Sequence, residues 1–367
     1  MTEVRQVRRP VLWAVGGVVA VVALSAVARW LSVGVPGWTK GTAAEGVGAA
    51  VEFPVYAILL GLLGNAALGA TGLRDRLAGG FRTEFFIKTG LVLLGASINL
   101  TVIVKAAGPA IAQSLLLITI VFGFSWWLGG RLGLDEKLRA LLSAAVAICG
   151  VSAAIAAAGA VQAKKEQLAY SASLVIVFAL PSIFLLPWLA GVLGLSPAVT
   201  GAWIGGNIDT TAAVTAAGSL AGEESLQLAA IVKSTQNALL GVVAVALTAY
   251  FALRVNKDAD EAGVPKRSVP RQLWERFPKF VLGFLLTSVL ATVYLNSVPA
   301  AEGKETIAVV NDLRTWFLIL AFVSIGLEFR AAPLKEAGWR PVGVFAASTA
   351  VNVLVALGLA AVLFADF

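Results

Sequence analysis

The sequence predicts an all-α polytopic membrane protein of about eleven transmembrane helices, each built from roughly 20 residues. Three observations carry that reading. The 367 residues are 59% hydrophobic and only 13% charged, whereas a soluble domain is about half apolar and about a quarter charged. The apolar residues fall into long runs separated by short loops. Lysine and arginine concentrate in every second loop, as they do on the cytoplasmic side of a membrane.

The apolar runs, in order, are Val11 to Leu31, Val51 to Leu73, Thr89 to Val104, Pro109 to Leu128, Leu138 to Val161, Leu168 to Leu193, Pro197 to Ala217, Leu226 to Leu253, Phe280 to Leu295, Thr306 to Phe329 and Pro341 to Phe364. With the N-terminus inside, one set of loops collects Arg5, Arg8 and Arg9, then Arg74 to Lys88, Arg131 to Arg139, Arg254 to Lys279, and Arg330 to Arg340. The opposite loops hold only Lys40, Lys105, Lys164, Lys165 and Lys304. An odd number of crossings in a cell (inner) membrane, with the N-terminus cytoplasmic and the C-terminus outside, follows from that bias. The net charge of +7 thereby marks cytoplasmic loops and not a nucleic-acid surface. Tryptophans at the run ends, such as Trp13, Trp30, Trp38, Trp126 and Trp127, suit an interfacial belt.

The first run follows a basic segment and ends near Ala26-Val27-Ala28, but it exceeds the usual roughly 7 to 15 apolar residues of a signal peptide and is expected to stay as a helix. Residues 1–367 then form a single transmembrane domain with no second, soluble domain. Arg254 to Pro278, charged and proline-containing, is its one cytoplasmic linker loop. Two stretches, beginning at Gly90 and Leu320, share an apolar run followed by Lys-x-Ala-Gly (Lys105 to Gly108 and Lys335 to Gly338). They would cross the bilayer in opposite directions, the relation expected of inverted repeats; chance likeness between apolar helices is the alternative.

Three consecutive polar interruptions lie inside apolar runs. In AICGVSAAIAAAG, Cys149, Gly150 and Ser152 break an alanine-rich helix, either to let backbones pack closely or to let the helix unwind. In WIGGNIDTTAAVTAAG, Gly205 and Gly206 ease a break, and Asn207, Asp209, Thr210 and Thr211 follow with side chains suited to an N-cap. A helix restarting near Thr210 would aim free N–H groups and the positive end of its dipole at whatever fills the break. A lone carboxylate there is costly, so Asp209 needs a proton or sodium ion, or a cationic side chain, as its partner. In LQLAAIVKSTQNALLG, Lys233, Gln236 and Asn237 share one helix face by their i, i+3, i+4 spacing. Snorkelling would serve Lys233 but not the two amides. An ion pair between Lys233 and Asp209 is the natural economy for two intramembrane charges. Glu52, Asn65, Asp312, Arg314 and Glu328 read as interfacial anchors or structural pairs. Histidine is absent and Cys149 is the lone cysteine. Disulfides within the chain and multi-cysteine metal sites are therefore excluded, and no metal or cofactor is expected.

These three motifs, AICGVSAAIAAAGAVQAKKEQLAYS, GAWIGGNIDTTAAVTAAG and AAIVKSTQNALLG, resemble in order and spacing the YeiH-like family of membrane proteins, which are proposed sulfate exporters. The resemblance runs from about Val55 to Phe364, with its specific part between Ile148 and Gly241. It implies a fold similar to the cation/proton antiporters and bile-acid/sodium symporters, in which inverted repeats place broken helices across one another near the midplane. Better-known members read Ile-His-Asp-Thr where this chain has Ile208-Asp209-Thr210-Thr211, so Asp209 fills the histidine position and a histidine-based proton step is not expected.

Together these readings lead to a secondary active transporter, an exporter by its resemblance, of a small anion such as sulfate, a sulfonate or a carboxylate. Cys149, Gly150, Ser152, Gly206, Asn207, Thr210, Thr211, Lys233, Gln236 and Asn237 are the expected substrate-binding residues. Asp209 is the expected ion-coupling residue for a proton or sodium ion. A cation/proton antiporter using Asp209 is the alternative. An integral-membrane enzyme fits less well, because Cys149 has no histidine partner and no carboxylate cluster is evident. Expected partners are the anion, the coupling ion and the lipid bilayer, with a homodimer as one compatible assembly and no nucleic acid.

Overall fold

A computed structural model describes residues 2–42, 51–251, 274, 277–329 and 338–367. These residues are mostly helical with no strand among them, as the chain-long apolar runs require: hydrocarbon leaves backbone groups no water, and a helix satisfies them within its own segment. Eight helices are long and apolar enough to cross a membrane among the described residues. The other three apolar runs correspond to a 13-residue helix and two helices interrupted part-way.

In chain order the helices are α1 (Thr2–Thr39), α2 (Phe53–Ala70), α3 (Thr83–Gly95), α4 (Leu100–Arg131), α5 (Glu136–Ala144), α6 (Val151–Val161), α7 (Lys165–Val192), α8 (Pro197–Asn207), α9 (Thr211–Ala221), α10 (Glu223–Ala238), α11 (Leu240–Tyr250), α12 (Phe280–Ser297), α13 (Ala300–Glu328) and α14 (Trp339–Leu363). Several starts are written in the local sequence. Asp135 accepts from the N–H groups of Lys137 and Leu138 at 3.1 Å each, opening α5. Ser196 accepts from Val199 N–H, with Pro197 at the first helical position of α8. Both are side-chain caps on otherwise orphaned donors.

One expectation needs correction. The run Thr89 to Val104 is not one helix: α3 ends at Gly95, turns Ala96 to Ile98 bond back to Leu93 to Gly95, and α4 starts at Leu100. Lys105, expected in a loop, therefore lies inside α4 together with Pro109. Hydropathy alone could not place the stop, because Ala-Ser-Ile-Asn is barely more polar than its flanks. The linker from Arg254 to Pro278 and the Lys335 copy of the short repeat lie almost wholly outside the described residues.

The chain divides into two compact units. The first, Met1–Leu100 with Leu282–Phe329, contains α1, α2, α3, α12 and α13. Its close packing is made by glycine: a Cβ added at Gly326 would stand 2.6 Å from the Gly61 carbonyl carbon, so α2 and α13 cross backbone to backbone. Small residues at such crossings are how membrane helices gain contact without a hydrophobic drive. Polar side chains here close helix ends. Asn65 donates to the carbonyls of Gly326 (3.0 Å) and Phe329 (2.6 Å), and Arg74 to Phe329 (3.0 Å).

The second unit, Thr101–Val281 with Arg330–Phe367, contains α4 to α11 and α14. Here α10 packs on both α8 and α9, and α14 packs on α8. Trp203 of α8 is buried and donates its indole N–H to Val353 O at 2.9 Å. Both interrupted helices belong to this unit.

Candidate functional site

The first interruption begins as a change of helical pitch. After α5 the chain makes one π-type turn, Ala145–Cys149, closed by Gly150 N–H to Ala145 O at 2.9 Å. Gly150 then reverses the backbone at φ 56°, ψ −114°, and α6 starts at Val151. Glycine adopts this conformation freely. A side chain would also lack room: a Cβ would lie 2.5 Å from Val175 Cγ1 and 2.8 Å from the Asp209 carbonyl oxygen. Pitch changes of this kind recur at functional sites.

The second interruption is the one the Gly-Gly-Asn-Ile-Asp-Thr-Thr sequence implies. Helix α8 ends at Asn207, Ile208 is extended, and α9 starts at Thr211. Thr210 is the N-cap, its hydroxyl accepting from Ala213 N–H at 3.1 Å. Because Gly150 rests against the Asp209 carbonyl, the two breaks touch.

Helix α10 supplies the groups that fill this meeting point, and its spacing decides which. Lys233, Gln236 and Asn237 are all buried, with Lys233 only 1% exposed. The Lys233 ammonium donates to Ile148 O and, at 2.7 Å, to Gln236 Oε1. Gln236 donates in turn to Ala147 O at 2.9 Å and to Gly206 O at 3.3 Å. Asn237 donates to the Thr211 hydroxyl at 3.0 Å. From α14, Asn352 donates to Val146 O and Asn207 O, each at 3.0 Å. Three consecutive carbonyls of the π turn, Val146, Ala147 and Ile148, thus each meet one side-chain donor, and α8's last two carbonyls meet two of the same side chains.

Eight of the eleven expected site residues form this buried centre: Cys149, Gly150, Gly206, Asn207, Asp209, Lys233, Gln236 and Asn237. Thr210 and Thr211 border it, half-buried, at the start of α9. Ser152 does not join it, being exposed on the first turn of α6. The expected Asp209–Lys233 ion pair is absent: the ion pairs among the described residues are Arg29–Asp312 and Lys88–Glu84. The Ile148 carbonyl near the end of the π turn, with Gln236 Oε1, holds the ammonium instead, because C-terminal carbonyls carry the negative end of a helix dipole. The Asp209 carboxylate is 5% exposed and accepts no hydrogen bond among the described residues.

Two contributors escaped the sequence reading. Asn352 and Gln113 are single amides in long apolar helices; Gln113 donates to Ala202 O at 2.8 Å and lies beside Gly206. Their signal was available, since a lone amide in the middle of an apolar helix is costly unless a protein partner meets it. Around the breaks several buried polar atoms still lack a partner: Asn207 Nδ2, Gln113 Oε1, Asn237 Oδ1 and Asn352 Oδ1. The donors on the carbonyl side are matched, while no side chain caps the N–H groups that open α6.

The model of the family described as conserved hypothetical protein 698 matches residues 16–345. A UPF0324 membrane protein of Rhodopirellula baltica is 37% identical over 86% of this chain and 58% of its own length. One from Nitratidesulfovibrio vulgaris is 35% identical over 84% of this chain and 54% of its own length. In both cases the chain spans little more than half of the relative. A UPF0324 membrane protein of Pseudomonas aeruginosa is 30% identical over 78% of this chain and 79% of its own length. No solved structure matches.

Proposed function

We propose, for a chain that belongs to the conserved hypothetical protein 698 family of YeiH-like membrane proteins, a secondary active transporter of a small anion. Sulfate, a sulfonate or a carboxylate is the substrate class, and export is the direction. The observation that carries the reading is the asymmetry of the two touching breaks. Their carbonyl ends are occupied by Lys233, Gln236 and Asn352. The N-terminus of α6 has no side-chain cap, and the Asn207 amide nitrogen at the other break is buried without a partner.

Helix N-termini bind anions through free N–H groups and the positive dipole end. A fixed ammonium nearby adds charge, and burial strengthens both by excluding water. Asp209 is the coupling residue: as a carboxylate it repels an anion from the same space, and as a neutral acid it does not. Loading Asp209 with a cation and loading the site with an anion are thereby linked. Movement of the bundle carrying the breaks then exposes the site to alternate sides. The lysine and arginine bias of the loops supports a cytoplasmic N-terminus and an outside C-terminus.

The test is purified protein in liposomes, given labelled sulfate, sulfonates and carboxylates under imposed proton or sodium gradients. Gradient-driven anion flux above protein-free liposomes is the expected result; absence of flux for every anion class removes the proposal. A cation/proton antiporter is the second reading, favoured by the unpartnered Asp209 carboxylate. Asp209→Asn separates them: anion binding survives with coupling lost in the first, while all cation exchange is lost in the second.

A further inference from the structure

The carbonyl cradle at the end of the π turn has the chemistry of an alkali-cation site. Ile148 O and Gln236 Oε1 converge on one point, and the same Gln236 amide is anchored through its nitrogen to the Ala147 carbonyl. All belong to a helix terminus or to an amide, and all are neutral oxygen acceptors. Broken membrane helices that bind sodium do so with such groups, using unwound carbonyls and half-helix C-termini, and carbonyl oxygens can replace the hydration shell of a monovalent ion.

In this protein the point is already taken by the Lys233 ammonium, which is 1% exposed and is held by both oxygens. An ammonium is a compact monovalent charge with three donors, and it carries the same charge as a dehydrated alkali cation. The lysine reaches it from α10 and is tethered there, so its occupancy of the point is an intramolecular event. It also needs no release for the helix to keep its end satisfied.

We propose that Lys233 is a resident cation which occupies a sodium-type site permanently, so that neither the stability nor the transport cycle of this protein requires an alkali cation. The proposal rests on the transporter reading only where it speaks of transport, and it narrows the coupling ion of that reading to a proton. Removing the tether opens the cradle. Lys233→Ala leaves a space lined by the same oxygens, which sodium, lithium or ammonium can then fill.

Thermal unfolding of the full-length protein in detergent tests this, comparing sodium chloride with N-methylglucamine chloride at equal ionic strength. The wild type is expected to melt at one temperature in both salts and to bind no radioactive sodium saturably. Lys233→Ala is expected to melt lower, and to regain about 5 °C in sodium, lithium or ammonium that it does not regain in N-methylglucamine. A variant recovered folded only when extracted in one of those small cations gives the same result in its extreme form. Saturable sodium binding by the wild type overturns the proposal. So does a variant that no small cation stabilises, including one lost on extraction in every salt. Neither readout involves flux, so the failure of anion transport in liposomes leaves this result standing. Conversely, proton-driven flux persisting while the cation result fails removes this inference alone.

Discussion

The two compact units solve one problem with different chemistry. Each contains helix ends inside apolar surroundings, and each closes carbonyls with side chains from a distant helix. In the first, Asn65 and Arg74 close the end of α13 at Gly326 and Phe329, next to a glycine crossing that brings two backbones into contact. In the second, Lys233, Gln236 and Asn352 close two interruptions that lie within helical runs. The first arrangement is close packing in which side-chain donors close the exposed carbonyls. The second retains a buried carboxylate, Asp209, together with four amide atoms that have no partner; each such unsatisfied atom costs about 1–3 kcal/mol, which packing alone does not call for.

The sharpest contrast is between two aspartates. Asp209 is buried at the breaks, whereas Asp312 is exposed and paired with Arg29. Asp209→Asn is expected to reduce gradient-driven flux in liposomes to background while leaving anion binding measurable. Asp312→Asn is expected to change flux by less than about twofold, as exposed pairs contribute little. Equal losses from both would mean that the second unit holds no privileged chemistry.

Next in size are the glycines. Gly150→Ala forces a side chain onto a positive φ and into Val175 and the Asp209 carbonyl, and Gly326→Ala drives one into the backbone of Gly61. Both are expected to destabilise by about 3 kcal/mol or more, read as a lowered melting temperature. The comparison is decided by what survives: the folded fraction of Gly326→Ala should retain anion binding, and that of Gly150→Ala should not.

A smaller effect separates the capping amides. Asn352→Leu leaves Val146 O and Asn207 O without their donor, and Asn65→Leu does the same to Gly326 O and Phe329 O. Each loss is expected to be about 1–3 kcal/mol, because a buried acceptor loses its partner. Binding of the anion should weaken only in Asn352→Leu.

Much of this was legible in the residues, for reasons that also explain the omissions. The Gly205 to Thr211 break could be read because glycine, an N-capping threonine and a carboxylate occur together where apolar residues should continue. The α10 face could be read from i, i+3, i+4 spacing. The π turn could not, because Ala145 to Cys149 is as apolar as any helix, and only Gly150 marks its end. The partner of Lys233 was misassigned to Asp209, since opposite charges suggest a pair on paper while backbone carbonyls carry no letter in the sequence. For the same reason Asn352 and Gln113 passed unnoticed: their partners are carbonyls about 90 to 200 positions away, and sequence order conceals such contacts.

The smallest expected effect is at Arg29 and Asp312, and it tests where polar groups of the first unit lie. Their oxygen and nitrogen are 2.5 Å apart, but the side chains are 31% and 54% exposed. If that exposure is to water or headgroups, a double-mutant cycle with Arg29→Ala and Asp312→Ala should return a coupling below about 1 kcal/mol, falling further as salt is raised. A coupling near 3 kcal/mol, indifferent to salt, would place the pair among acyl chains, where neither charge is screened. The first unit would then carry charged side chains inside the membrane as the second does. The distinction between a packing unit and a chemical one would have to rest on the broken helices alone.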